Sequence, residues 1–420
     1  MSKFRFIHAA DIHLDSPMRR LEGYPGAPVE AFRGATRRAL ENLVELAISE
    51  QVAFVLIAGD LYDGGWPCYK TPLFFCQQMS RLGEAGIRVV LIRGNHDAMN
   101  ESSLRFSIPP NVHMLGHDRS ESLSISDLDV VVHGQSFGSR KVPENLAAGY
   151  PARVDGATNI GLLHTSLDGR PGHDRYSPCT LDDLRVKGYD YWALGHIHKR
   201  EALDADRSIH FAGNTQGRHV GEPGARGCLL VTVDGRGGPP AAEFRPLDVL
   251  RWATCRVDGR GLDDDETLGA VADAIAAADD EAGGRHLAVR VSIAGAEAQA
   301  GGFDGDRLRA EVQRLACERT AGRAWVERVE RRYAPTPRGL SVGPLGAIHD
   351  QFAGLEADPS SLRTLFDDIL KSLRKKLPGD FFEGDGALGL DADDRLQEPL
   401  DGARRLLLGG LEPPREEAAS

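Results

Sequence analysis

Asp11 and His13, Gly59 and Asp60, Gly94-Asn95-His96-Asp97, a single His164, and Gly195-His196-Ile197-His198 follow one another along a chain of 420 residues. Between them they offer the oxygen and nitrogen atoms that divalent cations accept. Asp11 and His13 are two apart, so on an extended strand end their side chains share a face and hold one ion together. Asp60 is the natural bridge, because a carboxylate has two oxygens and can span ions roughly 3.5–4 Å apart, which an imidazole nitrogen cannot. Asn95 adds a neutral carbonyl oxygen, His164 and His196 add nitrogens to the second ion, and His198 completes the first.

Two cations held this way make water a nucleophile near neutral pH, which is the chemistry of phosphate-ester hydrolysis. The departing oxygen then needs a proton. His96, next to Asn95 but not required as a ligand, is suited to supply it, and Asp97 is expected to orient His96. Arg218 and His219 stand in a glycine-bracketed polar loop after Gly-His-Ile-His, where they would touch a substrate phosphate; a simple turn is the competing reading. A lone Asp-x-His or a single histidine is more often a capped strand end or a core residue. The arrival of five such motifs in order, each after an apolar run, outweighs that alternative.

The elements that must position these groups are legible as well. Residues 4–9, 54–58 and 88–92 are short apolar runs ending at a polar motif, with helical patterns between them, giving a β-α-β-α-β rhythm. Leu40, Leu43, Val44 and Ala47 form one helical stripe that packs on a sheet. Strand-like segments at 128–132, 159–163, 191–194, 209–212 and 228–233 extend this to a large mixed sheet or two facing sheets. The glycine- and proline-rich stretch 234–240 reads as a connection within the last strands of the first domain, which spans 1–250. A small α+β domain follows over 251–335, with strands at 252–257, 286–293 and 325–329 and helices at 268–278 and 307–316. Residues 336–420 read as a linker, an amphipathic helix near 358–376 and a disordered tail.

Composition narrows the options. A net charge of −12 argues against a protein that coats nucleic acid over its whole surface, so any such contact must be local or shared with a partner. No stretch approaches the roughly 20 apolar residues of a membrane span and no secretory leader is evident, so a cytoplasmic location is expected. The six cysteines lack a Cys-x-x-Cys pair and read as reduced, structural thiols.

At these motifs the chain resembles the calcineurin-like metallophosphoesterases. That resemblance covers about the first 250 residues and implies an α/β four-layer αββα sandwich with a di-metal centre, two divalent ions that are often manganese, with magnesium or iron as alternatives. It assigns Asp11, His13, Asp60 and His198 to one ion, Asp60, Asn95, His164 and His196 to the other, and the catalytic role to His96. Residues 11–17, 59–63 and 213–218 are further similar to the SbcD-type DNA repair exonucleases, in particular their YhaO-like branch. The branch implies a 3′-5′ exonuclease on duplex ends with single-strand endonuclease action, a DNA-capping role for the second domain, a homodimer, and a coiled-coil ATPase partner of the SbcC or YhaN type docking on the helix near 358–376. Some archaeal and eukaryotic relatives carry a histidine tied to exonuclease action where this chain has Asp63, as bacterial members often do. Two other readings remain open: a nucleotide or other small phosphoester hydrolase, and a non-catalytic subunit that positions DNA ends for an ATPase.

Overall fold

The computed structural model describes residues 3–16, 32, 34–64, 69–99, 108–168, 176–204, 209–235, 238–296 and 305–333. The expected linker, docking helix and tail lie outside the described residues. Among the described residues, no helix is long and apolar enough to cross a membrane.

The first half alternates strand and helix as its apolar periodicity requires: β1 (Phe4–Ala9), α1 (Ala35–Ser49), β2 (Phe54–Ala58), α2 (Lys70–Glu84) and β3 (Arg88–Ile92). With β4 (Val112–Met114) these strands run parallel, and two later antiparallel strands, β11 (Gly227–Val233) and β12 (Ala241–Pro246), close the sheet in the order β12-β11-β1-β2-β3-β4. A second six-stranded sheet has the order β5-β6-β7-β8-β10-β9, from β5 (Glu121–Ile125), β6 (Val130–Gly134), β7 (Thr158–His164), β8 (Tyr191–Gly195), β9 (Glu201–Asp204) and β10 (Ile209–Phe211).

Three apolar layers hold the sandwich together. Ile7, Val55, Val89 and Leu91 on one face of the first sheet bury Leu40, Leu43, Val44 and Ala47 of α1 and Phe75, Met79 and Leu82 of α2. Each such side chain contributes roughly 1.5–3 kcal/mol by leaving water. Phe6, Phe54, Leu56, Val90 and Ile92 on the other face meet Val132, Ile160, Leu162, Tyr191 and Ala193 of the second sheet. Phe6 stacks on Phe54 at 5.0 Å and meets Tyr191 edge-on at 5.4 Å, so aromatic rings fix the spacing of the sheets. The outer face of the second sheet buries Leu163, Trp192, Leu194 and Phe211 under Tyr150, Tyr189 and Leu184 of α3 (Leu181–Arg185).

The remaining elements form a β-α-β-α-β unit: β13 (Leu250–Asp258), α4 (Asp264–Ala282), β14 (His286–Ala296), α5 (Gly305–Arg319) and β15 (Ala324–Tyr333). All three strands are parallel. The expected helix at 268–278 is longer at both ends, because Asp263 and Glu266 form a capping box and Gly283 ends the helix in the left-handed region. One sheet face packs on α4 and α5 through Val257, Val289, Val291, Ile275 and Val312. The opposite face joins the sandwich, where Trp252, Ala288 and Trp325 cluster with Phe32, Leu250 and Val220. The whole of 1–333 is accordingly one compact unit. Among the described residues, Cys179, Cys228, Cys255 and Cys317 are free thiols.

Candidate metal centre

Every motif lands just past the end of a buried strand: β1 leads to Asp11 and His13, β2 to Asp60, β3 to Asn95 and His96, and β8 to His196 and His198, while His164 is the last residue of β7. The backbone there is bent into an uncommon form. Asp11, His13, Asp60 and His196 all have positive φ, at 50°, 45°, 51° and 97°, a region that costs a non-glycine residue about 1–3 kcal/mol. Backbone bonds hold these bends, with the amides of Asp11 and His13 donating to the carbonyls of Gly59 and Asp60 at 3.1 and 3.0 Å. The motif glycines are required by contact: a Cβ on Gly94 would strike the Asp60 carboxylate and the His164 ring, and one on Gly195 would strike the Ala58 carbonyl.

Ligand atoms of Asp11, His13 and His198 lie within 4.8 Å of one another, and so do those of Asp60, His164 and His196. Nε2 of His13 is 3.1 Å from Nε2 of His198, which in turn is 3.8 Å from Asp11. Asn95 joins the second group, its Oδ1 lying 3.0 Å from His164 Nε2. All seven sequence-read ligands are therefore brought together, with His198 at the more accessible edge. Asp60 stands between the two groups, its Oδ1 accepting the His96 amide at 2.9 Å and its Oδ2 lying 3.5 Å from His164 Nε2 and 3.9 Å from His13 Nε2.

The donor set fits two divalent cations. His13 is pulled down to about 4 by burial and by Arg218, so its imidazole is a neutral lone-pair donor at physiological pH. Burial raises Asp11 to about 6 despite the nearby His198, a cost that a bound cation relieves. Burial opposes ionisation of Asp60 as well, but His164, His96 and His13 hold it well below the usual carboxylate range. His164 donates from Nδ1 to the Ala58 carbonyl at 2.9 Å, which leaves its Nε2 lone pair for a metal. Oxygen and neutral nitrogen without thiolate suit manganese, magnesium or iron.

The ring of His96 is held by a carboxylate other than the expected Asp97. His96 Nδ1 lies 2.8 Å from Asp63 Oδ1, and Ser16 donates to the other Asp63 oxygen at 2.7 Å. Burial opposes it, but hydrogen bonds from His13 and His96 keep Asp63 ionised far below its ordinary range. Asp97 is corrected from an orienting to a structural role. Its carboxylate accepts the backbone amides of Leu61 at 3.1 Å, Tyr62 at 2.8 Å and Gly94 at 3.0 Å. It clamps the two loops.

Of the two substrate candidates, Arg218 is buried beside the centre, with Nη1 3.8 Å from Asp63 and Nη2 3.5 Å from Glu222. His219 is exposed, and its ring turns into its own loop, where Nδ1 accepts the Gly221 amide at 3.1 Å. Sequence reasoning missed Glu222, whose Oε1 lies 2.6 Å from His198 Nδ1. The signal was present, since Glu222 is the one acidic residue in the glycine-bracketed loop after the last histidine motif.

Two facing sheets whose strand ends converge on such a donor set define the metallophosphoesterase class. Comparison with known proteins agrees: residues 4–200 match the calcineurin-like phosphoesterase family and residues 252–333 match the metallophosphoesterase YhaO middle domain. The chain thus carries a calcineurin-like metallophosphoesterase domain followed by a YhaO-type middle domain. It is 38% identical over 262 residues to the "Uncharacterized metallophosphoesterase YhaO" of Bacillus subtilis (strain 168), covering 61% of this chain and 64% of that protein. It is 28% identical over 222 residues to the DNA double-strand break repair protein Mre11 of Sulfurisphaera tokodaii, covering 51% and 54%, respectively. The Mre11 protein of Methanosarcina mazei is 24% identical over 262 residues, covering 61% of this chain and 40% of that protein. The chain therefore matches less than two thirds of the length of each of these relatives.

Proposed function

We propose that this chain is a cytoplasmic DNA nuclease of DNA repair, dependent on two divalent cations, manganese in the first instance, acting as a 3′-5′ exonuclease on duplex ends and as an endonuclease on single strands. The observation that carries the reading is the pairing of a buried two-cation donor cluster with His96, which stands at its rim at 22% side-chain exposure with Nδ1 held by Asp63. Cations bound there supply positive charge for the phosphoryl oxygens and lower the pKa of a water nucleophile.

The chain's own residues do the rest. Asp63 keeps the His96 proton on Nδ1 and stabilises the imidazolium, so that Nε2 can deliver a proton to the departing sugar oxygen. Arg218, beside Asp63, offers its guanidinium to a phosphate that displaces it from Glu222. DNA as substrate is supported by the Mre11 relatives and by Arg256 and Arg328, exposed on the sheet face of the middle domain opposite α4 and α5. Exposed Tyr69 and Leu73 at the start of α2 support a homodimer through this region. A coiled-coil ATPase completes the proposed assembly, docking on segment 358–376, for which the sequence predicts an amphipathic helix.

The test uses purified full-length protein with end-labelled duplex and single-stranded DNA, manganese or magnesium, and a mononucleotide phosphoester as control. Manganese-dependent shortening of DNA that His96→Ala slows about 10³-fold, with metal binding unchanged, is the expected result. Turnover of the mononucleotide alone would replace the nuclease reading with the small-phosphoester one.

A further inference from the structure

The two halves of the donor cluster use different devices to fix their histidines. His164 is fixed by a backbone carbonyl inside the sandwich. His198 is fixed by a side chain from another loop. Glu222, only 5% exposed, takes Nδ1 of His198 on Oε1 at 2.6 Å, and its Oε2 accepts the Arg218 amide at 2.7 Å and the Asn214 side chain at 2.9 Å. A carboxylate in that position holds the His198 hydrogen on Nδ1 by geometry. Nε2 then presents its lone pair toward Asp11 and His13.

The loop at 213–226 does not hold itself. Gln216 donates to the Leu250 carbonyl at 2.7 Å and accepts the Val249 amide at 3.0 Å. The Trp252 indole donates to the Gly217 carbonyl at 3.1 Å, and the Trp252 carbonyl accepts the Gly224 amide at 2.9 Å. Trp252 is itself buried against Phe32 and Trp325. Both ends of the stretch from Arg218 to Glu222 are thus fastened to the first strand of the middle domain.

We infer that Glu222 is a positioning residue for His198, and that the middle domain, through Trp252 and the loop it grips, sets the affinity of one of the two cation positions. This rests on the two-cation reading of the centre. It makes the middle domain a structural part of the metal site as well as a neighbour of it.

The experiment titrates manganese into the full-length, metal-stripped protein by calorimetry and follows the loaded protein by electron paramagnetic resonance. Wild type is compared with Glu222→Gln, Trp252→Phe, His198→Ala and the Glu222→Gln, His198→Ala double variant. Thermal unfolding in chelator reports the fold of each. Wild type should bind two manganese ions with the signal of a coupled pair. Glu222→Gln should keep one ion at wild-type affinity and weaken the other about 10–100-fold, giving the signal of an isolated ion. Trp252→Phe, which removes the indole donor together with part of the ring's packing, should weaken the same ion by less, and Glu222→Gln should add nothing once His198 is alanine.

Unchanged affinities, equal weakening of both ions, or an additional loss in the double variant would each overturn the inference. Should Glu222→Gln lose its cooperative unfolding, Trp252→Phe decides alone, by selective weakening or by no change. Fewer than two ions on wild type would strike the two-cation reading itself, and is distinguished by that count.

Discussion

The sandwich and the middle domain are built from the same β-α-β grammar but spend it differently. Between α4, α5 and the sheet of the middle domain lie valines, isoleucines, leucines and alanines, with Cys255 the one sulfur. The space between the two large sheets admits His8, bonded to the Tyr191 hydroxyl at 3.0 Å and the Leu194 carbonyl at 3.1 Å. Its edge carries four acidic and imidazole groups on positive-φ backbone. Stability and chemistry are therefore separated: one region accumulates burial, the other accepts desolvation and strain so that ligands are preset.

The largest effect that could break this division is at the bridge. Asp60→Asn should lower phosphodiesterase activity by about 5 kcal/mol, some four orders of magnitude, with the fold intact by circular dichroism. Activity within tenfold of wild type would show that Asp60 does not join the two groups. Ile275→Ala, in the wholly buried core of the middle domain, should cost about 2–5 kcal/mol in urea unfolding and leave manganese affinity alone. A parallel loss of metal affinity would mean that the regions are not separable on this face.

Asp63→Asn sharpens the comparison within the site. It should slow turnover about 10–100-fold with two ions still bound, because Asp63 lies 2.8 Å from His96 Nδ1 but 3.5 Å from His13 and 3.8 Å from Arg218, so the orientation and charge of His96 are affected most. Full turnover in that variant would move the orienting role elsewhere.

The smallest effect is acid sensitivity of the sandwich interior. Burial and the neighbouring His210 depress His8 from an ordinary value of 6.5 to about 3. The unfolded chain therefore takes up the proton first, and stability present above pH 6.5 is lost as pH falls toward 3, at up to about 1.4 kcal/mol per pH unit. His8→Gln should flatten that slope by one proton between pH 6.5 and 5 in urea titrations; an identical slope in both proteins would assign the acid sensitivity to other groups.

Much of this was legible in the chain because β2, β3 and β8 are almost wholly apolar and β1 and β7 are apolar with few polar breaks, the trace that a buried parallel strand leaves. The seven ligands were readable for the same reason, since each follows the run that positions it. The edge strands of the two large sheets were not. β5 reads Glu-Ser-Leu-Ser-Ile and β12 Ala-Ala-Glu-Phe-Arg-Pro, both half exposed and without a continuous hydrophobic signal. β6 starts at Val130 and not at 128, because Asp129 occupies a positive-φ turn. Asp97 was misread because sequence adjacency to His96 does not give spatial pairing. The turn at Asp97–Met99 carries its carboxylate back to Gly94, and the contact His96 does make comes from a different loop. Glu222 stood out as the one acidic residue of its loop, but its pairing with His198 depends on how that loop folds back, which sequence order does not give.

His13 and His198, 185 positions apart in the chain, face each other across a few ångströms. A ribosome releases Asp11 and His13 long before His196 and His198, and neither group of ligands can close until β8 and the turn after it have emerged and folded back. Until then the early ligands are carried as separate strand ends. The order of translation therefore sets the order in which the metal centre can assemble.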